Sequence, residues 1–130
     1  MSMTKEAVKD KMKIANVSVV DVLSENDFEK LHIQGSENIP LGSNEDDFIH
    51  AVEKRFGKDR FIITYCAGGT HHESANASEA LLKRGFKSDN YPGGIREWLE
   101  AGFPTGGNDA PVMVKATGKQ AKGKPTASKQ

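Results

Sequence analysis

The chain has 130 residues, with 18 basic and 18 acidic side chains and a single cysteine. That is enough length for one domain with a hydrophobic core, and no second thiol for an intramolecular disulfide, which fits a reducing, cytoplasmic setting. The zero net charge conceals an uneven distribution: residues 108–130 carry five lysines and one aspartate, so residues 1–107 are acidic, which argues against a nucleic-acid-binding core.

The elements alternate along the chain. Residues 4–12 read as a short charged helix, with Val8 and Met12 one turn apart on the same face. The charged character of 1–13 leaves no apolar stretch for a signal peptide, and no later stretch approaches membrane-spanning length. Residues 17–23 are rich in β-branched side chains and read as a buried strand carrying Asp21 near its end. Ser24 reads as the N-cap of a short helix running to Lys30, with Asp27 in its first turn. Asn38, Ile39 and Pro40 form a very short extended element. Ser43 or Asn44 caps the next helix, whose apolar stripe is Phe48, Ile49, Val52 and Phe56 and which Gly57 stops. Residues 61–65 are the clearest strand, and 75–82, inside a helix-like stretch from Glu73 to Lys83, the clearest helix. Residues 89–91 form another short strand and 94–101 a last helix, closed by Gly102 and Pro104.

Strands separated by helical segments of this length indicate parallel βαβ units and an α/β fold. From Gly106 the composition shifts to Gly, Lys, Ser, Thr, Pro and Gln, with only Val112, Met113 and Val114 as an apolar interruption. The expected organisation is a domain over 1–107 and a basic, disordered tail over 108–130, since the tail has too little apolar surface to offset its ordering entropy.

Cys66 ends the apolar run 61–65 and opens the loop Ala67, Gly68, Gly69, Thr70, His71, His72 before the helix that begins near Glu73. A thiol at a strand end, facing a Gly-containing loop and a helix N-terminus, meets converging backbone N–H groups and the helix dipole. Both favour the thiolate, the form that acts as a nucleophile. The competing reading is a small buried hydrophobe, the usual fate of a free cysteine.

Four stretches in register resemble the single-domain rhodaneses: Val19 to Val22 with the strand-end Asp21; residues 29–40; Tyr65-Cys66; and 91–98, containing Gly93, Gly94, Ile95 and Trp98, followed by Gly102, Phe103 and Pro104. The resemblance spans about residues 15–105. It implies a central parallel sheet of about five strands with helices on both faces. It also implies a sulfurtransferase in which Cys66 takes a sulfane sulfur as a persulfide and passes it to a thiol or cyanide. On the same resemblance the loop amides from Ala67 to His72 form the anion cradle, no cofactor is needed, and the partners are a small sulfur donor, an acceptor and a sulfur-relay protein.

The loop departs from the family pattern of cysteine, four residues, then arginine. His71 stands at the arginine's count from Cys66. Counting back from Gly85 and Phe86 instead puts Glu73 there, in a loop two residues longer than usual. No arginine or lysine occurs from Cys66 to Leu82, so a dianionic donor such as thiosulfate loses its clamp, and a persulfide or polysulfide becomes the favoured donor. Thr70 and Glu73 fit a capping box; Glu73 as proton acceptor for an incoming thiol is the functional alternative. His71 and His72 offer only pH-dependent charge, and adjacent loop residues make a poor metal site. Leu23 stands where the family has an arginine. Arg96, on the last helix, is the one arginine able to stand in at the mouth of the site. His32 and Trp98 read as structural. A binding or redox-sensing module that has lost turnover is the alternative function, and phosphatase or arsenate-reductase chemistry is disfavoured by the missing loop arginine.

Overall fold

The computed structural model describes residues 2–111. Three of its helices begin at side-chain caps. Thr4 Oγ1 accepts from Ala7 N at 3.1 Å to open α1 (Lys5–Lys11), and Ser24 Oγ accepts from Asp27 N at 3.1 Å to open α2 (Glu25–Lys30). Asn44, rather than Ser43, caps α3 (Glu45–Arg55), its Oδ1 accepting from Asp47 N at 3.1 Å. Each cap satisfies an amide that the first helical turn leaves without a partner.

The main sheet is parallel, with four strands in the order β3-β1-β4-β5: β1 (Val17–Asp21), β3 (Glu37–Asn38), β4 (Phe61–Tyr65) and β5 (Lys87–Tyr91). The sequence suggested about five. The remaining strands, β2 (His32–Ile33) and β6 (Thr105–Gly106), pair antiparallel with each other in a separate small sheet. After Pro104 the chain turns back onto the β2 segment instead of extending the main sheet. The strand expected around residues 38–40 is regular only over Glu37–Asn38, although Ile39 N and Leu41 N still bond Asp21 O and Val22 O at 3.0 Å; Pro40 between them has no N–H to donate.

Successive residues of a strand face opposite sides of the sheet, and both sides are covered. Val20 and Ile62 pack with Phe48, Ile49 and Val52 of α3 and with Ala77 and Leu81 of α4 (Glu73–Lys83). Val19 and Ile63 pack on the other side with Val8 of α1 and with Ile95 and Trp98 of α5 (Gly94–Glu100). Near-continuous apolar runs in β1 and β4 are what such two-sided burial requires. Beyond β6, Asn108 N and Asp109 N bond Glu29 O and Lys30 O at 2.8 and 2.7 Å. From residue 112 the expected basic tail lies outside the described residues. Among the described residues, no helix is long and apolar enough to cross a membrane.

Candidate active site

In an open parallel sheet, the crevice beyond the C-terminal strand ends is where ligands bind. Cys66 occupies that position directly after β4, beside the end of β1. Thr64 donates its hydroxyl proton to Ser74 O at 2.7 Å, tying β4 to the first turn of α4 and closing the loop between them.

The loop is held from the α5 side. Ile95 N donates to Cys66 O at 3.0 Å, Arg96 N to Ala67 O at 3.2 Å, and within the loop His71 N to Gly68 O at 3.4 Å. Gly68 and Gly69 adopt φ of 103° and 68°, a left-handed pair open to glycine. With its carbonyls engaged in this way, the loop leaves its amide edge free: the N–H groups of Ala67, Gly68, Gly69, Thr70 and His72 have no protein acceptor among the described residues. Successive free amides of this kind form an anion-binding concavity.

Cys66 itself is 1 % exposed and packs with Val20, Val22, Ile39 and Ala77. It therefore sits at the floor of the loop with one side in the core, combining the two readings its sequence context allowed. Ala67 is half-buried and Gly68 buried, whereas Gly69, Thr70, His71 and His72 are exposed.

Thr70 and Glu73 do not form the expected capping box. The N-cap of α4 is His72, with φ −117° and ψ 3° and no side-chain cap bond, and Glu73 is the first helical residue. The left-handed turn at Gly68 and Gly69 delays the helix, leaving Thr70 two residues too early to cap it. Glu73 Oε1 lies 3.8 Å from His71 Nδ1. It is occluded and without a hydrogen bond, although the side chain as a whole is 46 % exposed. So exposed a pair contributes little to stability. Among the described residues, no group of three or more His, Cys, Asp or Glu is placed to hold a metal.

Arg96 reaches the loop from α5. Its Nη1 lies 2.9 Å, and its Cζ 3.5 Å, from where a Cβ on Gly69 would stand, so the guanidinium lies over that glycine. Asp21, at the neighbouring strand end, is fully buried; Oδ1 accepts from Leu23 N at 2.8 Å and Oδ2 has no partner. Burial raises its carboxyl from 3.8 to about 6, against the opposing pull of the Leu23 amide and the nearby Tyr65 hydroxyl. That hydroxyl, itself held above its ordinary range by burial, accepts from Ile33 N at 3.0 Å and bonds Ser36 Oγ at 2.8 Å. His32 is structural: its ring stacks on Phe28 at 3.7 Å and its Nδ1 bonds Phe28 O at 2.6 Å. Trp98 is buried, with Nε1 donating to Pro104 O at 2.7 Å.

Comparison with known proteins agrees with this architecture. The thiosulfate:glutathione sulfurtransferase of Saccharomyces cerevisiae is 29 % identical over 96 residues, covering 67 % of this chain and 68 % of that protein. A rhodanese-related protein from Thermoplasma volcanium superposes with a TM-score of 0.65 at 27 % identity, over 80 % of this chain and 95 % of that one. A protein from Bacillus halodurans superposes with a TM-score of 0.72 at 24 % identity, over 89 % and 85 % of the two chains. The rhodanese-like domain profile matches residues 4–101. With that match over most of its length, its parallel sheet and its cysteine at the central strand end, the chain belongs to the rhodanese-like domain family.

Proposed function

We propose that the protein is a sulfurtransferase or sulfane-sulfur carrier working through a persulfide on Cys66. The Cys66 thiolate attacks the terminal sulfur of a donor hydropersulfide or polysulfide. A bond forms between Sγ and that sulfur, and the donor's S–S bond breaks with its electron pair leaving on the donor thiolate, which takes up the terminal proton. A second nucleophile, a thiol or cyanide, then attacks the outer sulfur and returns Cys66 as thiolate. What most supports this reading is the set of loop amides following Cys66 that have no protein acceptor among the described residues, those of Ala67, Gly68, Gly69, Thr70 and His72, donors suited to the negative sulfur in both half-reactions. The relative from S. cerevisiae, whose name couples thiosulfate to glutathione, supports the same chemical class.

A donor of one negative charge suits the site better than thiosulfate, because the loop holds no permanent cation and Glu73 adds a carboxylate at its far end. A reducing compartment such as the cytoplasm, and a relay protein or small thiol as acceptor, complete the proposal. The near-complete burial of Cys66 favours a second reading, a binding or redox-sensing domain without turnover.

The deciding experiment is intact-protein mass after incubation with polysulfide and, separately, with thiosulfate, for wild type and Cys66→Ser. One added sulfur on wild type alone supports the carrier reading, and the donor that works identifies the class. No addition from either donor, with Cys66 still alkylatable, leaves the sensing domain.

A further inference from the structure

We propose that Arg96 is the donor-binding cation of this site, engaging the negative charge of an anionic sulfane-sulfur donor while its terminal sulfur passes to Cys66. The inference rests on the persulfide reading above and names the group that holds the donor.

Arg96 is fixed to the loop at its backbone and free at its tip. Its N–H bonds Ala67 O at 3.2 Å, so the first turn of α5 and the cysteine loop move together. Its guanidinium then crosses over Gly69, in the space a Cβ on that residue would need. The chain's other arginines are all engaged. Arg55 pairs with Glu37 at 2.9 Å and Arg84 with Asp46, while Arg60 donates to Ala15 O at 3.3 Å and Ser18 Oγ at 3.1 Å. Arg96 alone has no ion pair or side-chain hydrogen bond among the described residues. Its neighbour Glu97 is held by the Tyr91 hydroxyl at 2.7 Å. An exposed, permanently charged fork lying unpaired over a loop of open amides is suited to an anion.

Position decides the chemistry. The charge comes from the helix after β5 rather than from the cysteine loop, and it lies over Gly69, three residues beyond Cys66. It therefore meets the donor's own charge, or the thiolate that leaves when the donor S–S bond breaks, and the transferred sulfur stays with the loop amides. A single guanidinium neutralises the one charge of a persulfide anion but only half the charge of a dianion such as thiosulfate.

Alkylation of Cys66 by iodoacetate, an anion, and by iodoacetamide, its neutral counterpart, tests the charge independently of turnover. In Arg96→Gln the iodoacetate rate should fall about three- to tenfold relative to the iodoacetamide rate, the effect of one nearby charge across a partly aqueous gap. Arg96→Lys should restore part of the ratio. The concentration of polysulfide giving half-maximal sulfur loading should rise by a similar factor in Arg96→Gln. An unchanged ratio, or equal slowing with both reagents, overturns the proposal, since a structural role would alter access to the thiol without regard to charge. If wild type takes up no sulfur while the ratio still depends on Arg96, the anion site stands and the persulfide reading fails. If wild type loads and neither ratio nor loading depends on Arg96, the persulfide reading stands and Arg96 has no part in it.

Discussion

Gly94 and Cys66 meet backbone to backbone: a Cβ on Gly94 would stand 2.5 Å from the Cys66 carbonyl oxygen and 2.6 Å from Gly68 N. Gly94 also has φ 65°, where an L side chain is strained. The first turn of α5 can therefore dock on the loop only through glycine. On the loop side, a Cβ on Gly68 would strike the Gly93 carbonyl. The pair of glycines before Ile95 is thus the device that lets Ile95 N and Arg96 N reach the carbonyls of Cys66 and Ala67.

Gly94→Ala should accordingly destabilise the protein by about 1–3 kcal/mol, the usual scale for a side chain forced into a left-handed, crowded position. It should also reduce sulfur loading of Cys66 more than the stability loss explains, because Ile95 N and Arg96 N lose their carbonyls. Urea unfolding and intact mass measure the two effects. Full loading in a destabilised variant would mean that α5 anchors the fold without shaping the loop.

Cys66→Ser should abolish sulfur loading while leaving a folded protein. Its hydroxyl enters the apolar cluster of Val20, Val22 and Ile39 beside the loop amides, and burying this more polar group costs at most about 1–3 kcal/mol, the figure for a hydroxyl left without a partner. The variant should therefore melt earlier than wild type, still in one cooperative transition. Sulfur on this variant, whose chain has no other cysteine, would remove the proposed mechanism.

The helices and central strands were legible because local signals and tertiary packing agree in them. Ser24 caps as its residue type predicts and Asn44 is the one of the two candidates that caps α3, whereas Thr4, read as part of the first helix, is its N-cap; the β-branched runs are the strands buried on both sides. The small β2–β6 sheet was not legible, since two-residue pairings such as His32 with Gly106 and Ile33 with Thr105 carry no periodicity. The capping box failed for a related reason. Thr70 and Glu73 have the right spacing, but the helix start is set by the Gly68–Gly69 turn and the Thr64–Ser74 tie, which no local pattern records. Arg96 was visible as an arginine on the last helix. Its place over Gly69 depends on the docking of α5, thirty positions downstream of Cys66.

Glu73→Arg should improve the use of dianionic donors. The substitution removes a carboxylate from the N-terminus of α4 and adds a cation at the loop's far end. The helix loses a favourable charge–dipole contact of about 0.3–1 kcal/mol, too little to unfold the domain. Sulfur loading from thiosulfate should rise relative to loading from polysulfide, measured by mass at matched concentrations. Unchanged thiosulfate use would place the limit in the length of the loop rather than in its charge.

Asp21 should make stability depend on pH in the direction opposite to that of a salt-bridged carboxylate. Burial raises its folded value to about 6 from 3.8, so between those values the folded state binds more protons than the unfolded chain. Stability then falls as pH rises through this window and stays lower above it. A shift of this size corresponds to a change on the order of 3 kcal/mol between pH 4 and pH 7. Asp21→Asn keeps an oxygen for Leu23 N and abolishes the titration, so the stability of wild type relative to the variant should be greatest near pH 4 and decline towards pH 7. Urea unfolding of both proteins at pH 4.5 and 7.5 measures the difference. An equal gap at both values would mean that Asp21 ionises in the fold as it does in the unfolded chain, its Oδ2 reaching water or the Tyr65 hydroxyl when the strand end opens.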